Sequence, residues 1–313
     1  MTSVEEHLEK GIAYLDEGER HANPHLFKKA AIEFEMVLKI DPLFYEAWYG
    51  RGLAYMGCGE TDKALESLKK VVELEPDHKE AWDKMGLLNY AIYLVQRKKE
   101  FLNKAVECLQ KAVELDPEYI EALRFLGNSY DLLGEHNKGL DCFQKVLELQ
   151  PDHLFALNDM GTIYRKMGEY DKAIENFQKV LDLNPGAEQP WLNLGLVYDE
   201  LSVFDKAIEH YEKARKIKSN PLVEKKLRRA REIMKYIEKA HQHIEKGKHK
   251  KAIEEYRNAS MLDKKSFTIW YEMGQAYGHL DDYKEAIECY EKALEINPSS
   301  NDVKEALKQA RMN

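Results

Sequence analysis

The chain has 313 residues and a formal net charge of −9 at pH 7. Charged residues make up 33% of it, and it has only 9 prolines and 17 glycines, a composition typical of surface-rich helices rather than strands. The N-terminal sequence MTSVEEHLEKGIAYL lacks a basic start followed by an apolar run, and no apolar stretch reaches ~18 residues. We therefore expect neither export nor membrane insertion, and predict a cytoplasmic, all-α protein.

Prolines that would end helices recur at a nearly constant interval. Pro42, Pro76, Pro117, Pro151 and Pro185 are separated by 34, 41, 34 and 34 residues. The longer interval contains seven additional residues, about two helical turns, so the apolar faces stay in phase. A fixed period of this kind predicts an array of similar helical units.

Each unit begins with a first helix that carries an aromatic residue or leucine, a glycine four residues later and usually a tyrosine three residues after that. The sets are Trp48/Gly52/Tyr55, Trp82/Gly86/Asn89, Leu123/Gly127/Tyr130, Leu157/Gly161/Tyr164, Trp191/Gly195/Tyr198 and Trp270/Gly274/Tyr277. A second helix follows with a small residue, a large one and another small or β-branched one, as in Ala207/Tyr211/Ala214. Spacings of three and four place each set on one helix face. Because a helical glycine costs about 1 kcal/mol relative to alanine, we predict that it allows the two helices to approach closely.

This pattern of Trp, Leu, Gly, Tyr, Ala, Phe and Pro resembles the tetratricopeptide repeat over nearly the whole chain. The resemblance implies an all-α, right-handed superhelical solenoid of helix-turn-helix repeats, whose first helices line a concave groove that binds peptides or partner proteins. We count eight candidate repeats and a C-terminal capping helix, SSNDVKEALKQAR. Residues 1–218 would hold six repeats, the first with GERHANPHLFKK inserted at its turn and the third lengthened, and residues 219–313 two more.

The seventh repeat departs from the pattern. Asn220 and Pro221 are typical of a helix start and Gly247 of a stop, which predicts one long helix over residues 221–246. Residues 213–251 have 15 Lys or Arg against 4 Asp or Glu. This segment could contact an anionic partner such as acidic protein, RNA or lipid headgroups. The alternative, which we prefer, is a solvated face neutralised by the acidic remainder of the chain. The predicted basic patch is Lys225, Lys226, Arg228, Arg229, Arg231 and Lys235.

Motifs for phosphate loops, dinucleotide binding, zinc proteases and serine hydrolases do not occur in the sequence. His241, His243 and His249 are the best metal candidates, but helical residues two apart point to different sides, so solvated histidines are the preferred interpretation. We therefore predict a non-enzymatic protein with no cofactor and no metal.

If the resemblance holds, the groove is lined by first-helix residues that lie away from the glycine and tyrosine packing face; we call this surface the groove face. Its N-terminal part is apolar and its middle part polar with basic groups. The predicted residues are Leu8, Ile12, Leu15, Tyr49, Leu53, Met56, Leu87 and Tyr90 in the first part, and Arg124, Asn128, Asp131, Asn158, Asp159, Arg165, Lys166, Asn193 and Asp199 in the second.

The chemistry of these residues suits a peptide ligand. Asparagine pairs with a peptide backbone through a donor and an acceptor, and arginine holds a carboxylate. The apolar part could accept an amphipathic helix of a partner, the chain's own N-terminal insertion or a second copy of the chain. We predict a scaffold or adaptor that binds a peptide or helix of another protein, with nucleic-acid or anion association through residues 221–251 as the alternative.

Overall fold

The computed structural model describes residues 3–313, and within that range 17 α-helices follow one another without a strand. The helices are α1 (Val4–His21), α2 (Pro24–Ile40), α3 (Tyr45–Gly57), α4 (Thr61–Leu74), α5 (Lys79–Gln96), α6 (Lys99–Leu115), α7 (Ile120–Leu133), α8 (His136–Leu149), α9 (Leu154–Lys166), α10 (Tyr170–Leu183), α11 (Glu188–Glu200), α12 (Phe204–Ile217), α13 (Pro221–Glu245), α14 (His249–Leu262), α15 (Phe267–Gly278), α16 (Tyr283–Ile296) and α17 (Asn301–Met312). The predicted all-α fold of eight helix pairs and a terminal helix is confirmed. No described helix combines the length and apolar character needed to cross a bilayer.

The additional residues of the first and third repeats lengthen helices rather than loops. α1 and α2 have 18 and 17 residues, as do α5 and α6, against 13 and 14 in α3 and α4. Only Ala22, in the left-handed conformation, and Asn23, which caps α2, separate α1 from α2. The predicted insertion at the first turn is therefore wrong, because its residues extend both helices.

Five repeat glycines lie against the large side chain of their own second helix: Gly52, Gly86, Gly127, Gly195 and Gly274. A Cβ built on Gly195 would lie 2.5 Å from the ring of Tyr211, and one on Gly127 would lie 2.9 Å from that of Phe143. Neither distance leaves room for a methyl group without a shift of the ring or the helix. The predicted role of the glycine in close helix packing is confirmed.

The tryptophans of the first helices tie each helix to the end of the preceding one. The indole N–H of Trp48 donates to the carbonyl oxygen of Pro42 at 2.8 Å, and that of Trp191 donates to Pro185 at 3.2 Å. Trp82 and Trp270 make the same contact six residues upstream. The rings are half-buried, so packing and hydrogen bonding act together.

The described chain divides after Ile163, within α9, into a first unit that runs up to that residue and a second unit, Tyr164–Asn313. In the second unit one hydrophobic core includes Tyr211 of α12, Leu227 of α13 and Leu307 of α17. The boundary expected near residue 219 therefore falls inside a continuous core, where α12 packs on α13.

The long helix α13 begins and ends close to its predicted limits. The side chain of Asn220 accepts a hydrogen bond from the backbone N–H of Val223 at 2.9 Å, and Pro221 is the first helical residue. An apolar stripe that includes Leu227, Ile233 and Ile237 is buried. At the end of the chain, the buried residues of α17 cover the last repeat, as expected of a capping helix.

Candidate functional site

In the first unit, the polar residues of the groove face converge on the carboxylate of Asp159. The side-chain amide of Asn158 donates to it at 3.2 Å, and Asn128 of α7 forms a second side-chain hydrogen bond. Burial raises the pKa of Asp159, whereas the two asparagines and the charge of Arg124 lower it. The predicted asparagines thus stabilise a partly buried carboxylate of the same face.

Arg124 lies beside two aromatic rings that sequence analysis did not include. Its guanidinium carbon is 4.3 Å from the ring centroid of Phe125 and 5.4 Å from that of Phe155. The ring of Tyr90 meets Phe125 edge-on at 5.7 Å. Phe155 is 65% exposed, so this face presents a cation next to an open aromatic surface. The spacing of four residues from Phe155 to Asp159 was the available signal, because it places both on one helix face.

The apolar part of the groove face is half-buried by its own helices. The ring of Tyr49 lies 4.7 Å from that of His78, and burial raises the pKa of Tyr49 to about 12. Leu53 and Met56 pack against the core of the first unit, as does Leu8, and Leu87 is also half-buried. Leu15 is a core residue with 8% exposure, so its predicted place in an open groove is wrong, whereas Ile12 is 46% exposed.

Asp83 of α5 is a buried acid that sequence analysis missed. Its side chain has no exposed surface; the hydroxyl of Tyr119 donates to Oδ2 at 3.3 Å, and the ammonium of Lys84 lies 3.0 Å from the same atom. Oδ1 has no hydrogen-bond partner among the described residues. Burial and this carboxylate together raise the pKa of Tyr119. Asp83 occupies the repeat position of Tyr49 and Arg124, which was the signal that could have identified it.

In the second unit, some of the predicted groove residues contact neighbouring side chains and others are exposed. The guanidinium of Arg165 donates to the carboxylate of Glu200. Asn193 is only 4% exposed and accepts a hydrogen bond from Gln189 at 3.3 Å, so it is a packing residue, which differs from the prediction. Lys166 is exposed at the end of α9.

The predicted basic patch separates into two parts. Arg229 contacts both carboxylate oxygens of Asp199, at 2.8 and 3.0 Å, and Lys226 contacts one of them at 3.3 Å. Arg229 also donates to the backbone carbonyl of Leu262 at 3.2 Å, which links α13 to the end of α14. These two cations neutralise a carboxylate that is only 5% exposed.

The other patch residues point outward. Arg231 forms an ion pair with Glu212 at 2.5 Å, whereas Lys225, Arg228 and Lys235 are exposed. Three of the six patch residues therefore pair with carboxylates of the second unit. This agrees with the preferred interpretation, in which acidic residues of the same chain neutralise the basic segment.

The three candidate metal histidines contact different residues. His241 lies 2.9 Å from the carboxylate of Glu272, whereas the ring of His249 stacks on that of His279 at 4.8 Å. His243 has a buried ring nitrogen with no hydrogen-bond partner in the described part of the chain. These contacts do not bring the three rings to a common centre.

Models of known families match most of the chain. Those described as tetratricopeptide repeat match residues 45–78, 95–119, 118–186, 152–220 and 267–300, and one described as TPR repeat matches residues 240–281. The chain belongs to the tetratricopeptide repeat family, whose fold is that of protein-interaction scaffolds.

Individual relatives share shorter stretches. Anaphase-promoting complex subunit 3 of Schizosaccharomyces pombe is 27% identical over 66 residues, which are 21% of this chain and 10% of that protein. Superkiller protein 3 of Saccharomyces cerevisiae is 32% identical over 68 residues, which are 22% of this chain and 4% of that protein. The chain thus spans at most about a tenth of the length of these curated relatives.

One solved structure supports the fold assignment. YrrB, described as a TPR protein with an unusual peptide-binding site, is 22% identical, with a TM-score of 0.51. The match covers 61% of this chain and 94% of that one. At this identity the similarity establishes the fold alone.

Proposed function

We propose that this protein is a non-enzymatic scaffold or adaptor that binds a peptide or helix of a partner protein on the groove face of its first unit. The observation that carries the proposal is the assembly of Arg124 with Phe125 and Phe155, which leaves Phe155 65% exposed. Arginine and large aromatic residues dominate the binding energy of many protein interfaces. The peptide-binding site named for YrrB is in keeping with this proposal.

The cation and the exposed ring of this assembly indicate which chemical groups a partner would present. The guanidinium of Arg124 suits a carboxylate of the partner, and the exposed ring of Phe155 suits an apolar side chain beside it. Asn128 and Asn158 are already hydrogen-bonded to Asp159, so their proposed contribution is to position the face. Association through the basic patch, a second copy of the chain and a cytoplasmic setting stay predictions.

The test compares two double variants of the full chain in affinity capture from the native cell lysate, with bound proteins identified by mass spectrometry. Arg124→Ala/Phe155→Ser removes the cation and the exposed ring. Arg20→Ala/Ile32→Ser is the matched control, because it removes an exposed arginine of α1 and a side chain that is 58% exposed on α2. The asparagines are left in place, since their removal would take donors from the Asp159 carboxylate.

We expect a partner that the wild type and the control capture and that the groove variant loses, while all three proteins unfold at similar temperatures. If every captured protein binds the groove variant as well as the wild type, the proposed surface is wrong.

A further inference from the structure

The lengthened third repeat extends beyond the repeats on either side of it. α5 begins at Lys79, 34 residues after the start of α3 at Tyr45, so the two starts are equivalent positions of the repeat. α5 has 18 residues, against 13 in α3 and 14 in α7, and its additional residues therefore lie at its C-terminal end. Five more residues add about 7 Å to a helix. The turn between α5 and α6 consequently projects from the first unit.

This turn presents apolar and cationic side chains together. Leu94 is 40% exposed and Val95 is 84% exposed, and every residue from 94 to 100 is exposed. We call residues 94–104 the α5–α6 tip; none of them belongs to the groove face. The charged residues of the tip are the cations Arg97, Lys98, Lys99 and Lys104 and the single carboxylate Glu100.

The cations of the turn are not paired with acidic residues of the fold. Within residues 3–313, Arg97, Lys98 and Lys99 form no ion pair, and the guanidinium of Arg97 lies 5.8 Å from the ring centroid of Tyr93. Arg97 also ends α5 in the left-handed conformation, which Gly134 adopts at the end of α7. An arginine there costs backbone free energy that a glycine would not. The tip is thus an unpaired positive surface on a chain whose net charge is −9.

We propose that the α5–α6 tip docks on the surface of an anionic lipid bilayer. Leu94 and Val95 enter the interfacial region, where apolar side chains are favourable. Arg97, Lys98 and Lys99 contact the anionic headgroups, which attract cations close to the membrane surface. The contact is peripheral and requires no membrane-spanning helix.

The size and shape of the tip favour a bilayer over an acidic protein. A stable protein interface buries about 800 Å² on each partner and uses about 20–30 residues a side. The tip has a run of exposed residues from 94 to 100 only, and it projects from its repeat instead of forming a groove. A bilayer needs no matching shape, and each cation near an anionic membrane strengthens binding by about a factor of five.

The experiment is cosedimentation of the full chain with lipid vesicles. One set of vesicles is phosphatidylcholine alone, and the other contains about one third phosphatidylserine. We expect binding to the anionic vesicles and none to the neutral ones. Raising the salt concentration from about 0.1 M to about 1 M should weaken the binding, because it shortens the Debye length from about 10 Å to about 3 Å. Soluble polyglutamate, which offers charge without an apolar phase, should compete poorly.

Two charge variants locate the contact. Lys98→Gln/Lys99→Gln removes two cations of the tip, and we expect it to weaken binding to the anionic vesicles by roughly tenfold or more. Lys225→Gln/Arg228→Gln is the matched control, because it removes two exposed cations of the basic helix α13. It should leave the binding unchanged.

Two apolar variants test the insertion of the tip. Leu94→Ser/Val95→Ser should weaken binding roughly tenfold, since it removes the side chains that leave water. Ile32→Ser/Ile40→Ser, which removes two side chains of α2 that are 58% and 55% exposed, should have no effect. Thermal unfolding shows whether each variant folds; all four pairs of substitutions lie on exposed positions.

No binding to the anionic vesicles would overturn the proposal, as would equal losses in the tip variants and their controls. Polyglutamate that competes as well as the vesicles do, together with binding that does not depend on Leu94 and Val95, would also overturn it. That result would indicate an acidic protein as the partner of the tip.

Discussion

At the scale of single residues, Gly195 combines an unfavourable helix propensity with a position that no larger residue fits. Replacing it with alanine gains about 1 kcal/mol of helix propensity but places a methyl group 2.5 Å from the ring of Tyr211. We expect Gly195→Ala to lower the free energy of unfolding by about 1–3 kcal/mol, because overpacking displaces the ring or the helix. Urea denaturation measures the change. Gly186→Ala is the control, since its nearest neighbour is 3.5 Å away, and a Gly195→Ala protein as stable as the wild type would refute the packing role.

Asp159 gives a prediction that depends on pH. Its pKa is raised in the folded state above the ordinary value of 3.8, so its contribution favours folding below that value and is lost as pH rises through the folded-state pKa. Asp159→Asn removes this titration while keeping the shape of the side chain. The stability of the variant relative to wild type should therefore be higher at pH 7 than at pH 3. Thermal unfolding of both proteins across this range measures the difference, and a difference that is constant or of opposite sign would contradict the assignment.

The sequence pattern indicated the repeat glycines, but it missed Asp83 and did not indicate that Asp159 is partly buried, for a physical reason. Gly195 recurs at a fixed period and its function depends on the second helix of its own repeat, so pattern alone indicates it. The burial of Asp83 depends on Tyr119, which is 36 residues away, and that of Asp159 involves Asn128 of another helix. Such contacts become visible only when neighbouring repeats are packed.

At the scale of helices, a single arginine contributes more to the attachment of α13 than the overall positive charge of the helix does. Arg229 contacts the buried carboxylate of Asp199 and the end of α14, whereas the adjacent Arg228 is exposed. We expect Arg229→Met to lower the free energy of unfolding by about 1–3 kcal/mol, because it leaves Asp199 with Lys226 alone. Arg228→Met should change it by less than about 0.5 kcal/mol. Equal effects of the two substitutions, measured by urea denaturation, would show that the contact with Asp199 contributes no specific stability.

Helix starts and stops were predicted well where cap residues mark them. Asn220 and Pro221 begin α13 as expected. The first repeat was predicted wrongly because a longer turn and two longer helices add the same number of residues to the chain. Ala22 resolves the ambiguity only in the structure, where its left-handed conformation ends α1.

At the scale of the whole molecule, the 34-residue period predicted the number of repeats. The unusually long helix predicted to start at Pro221 suggested a boundary near residue 219, yet this helix packs within a continuous core and two of its cations neutralise Asp199. We propose that the first unit presents one face, built around Arg124 and Phe155, to a partner protein.

The most direct measurement is site-specific photo-crosslinking of the full chain in the native lysate. A photoreactive phenylalanine analogue replaces Phe155 in one sample and Ile32, which is 58% exposed on α2, in the other. The account predicts that position 155 crosslinks to one defined segment of a partner protein, that Arg124→Ala diminishes this product and that position 32 does not form it. The same product from both positions, or none from position 155, would contradict it.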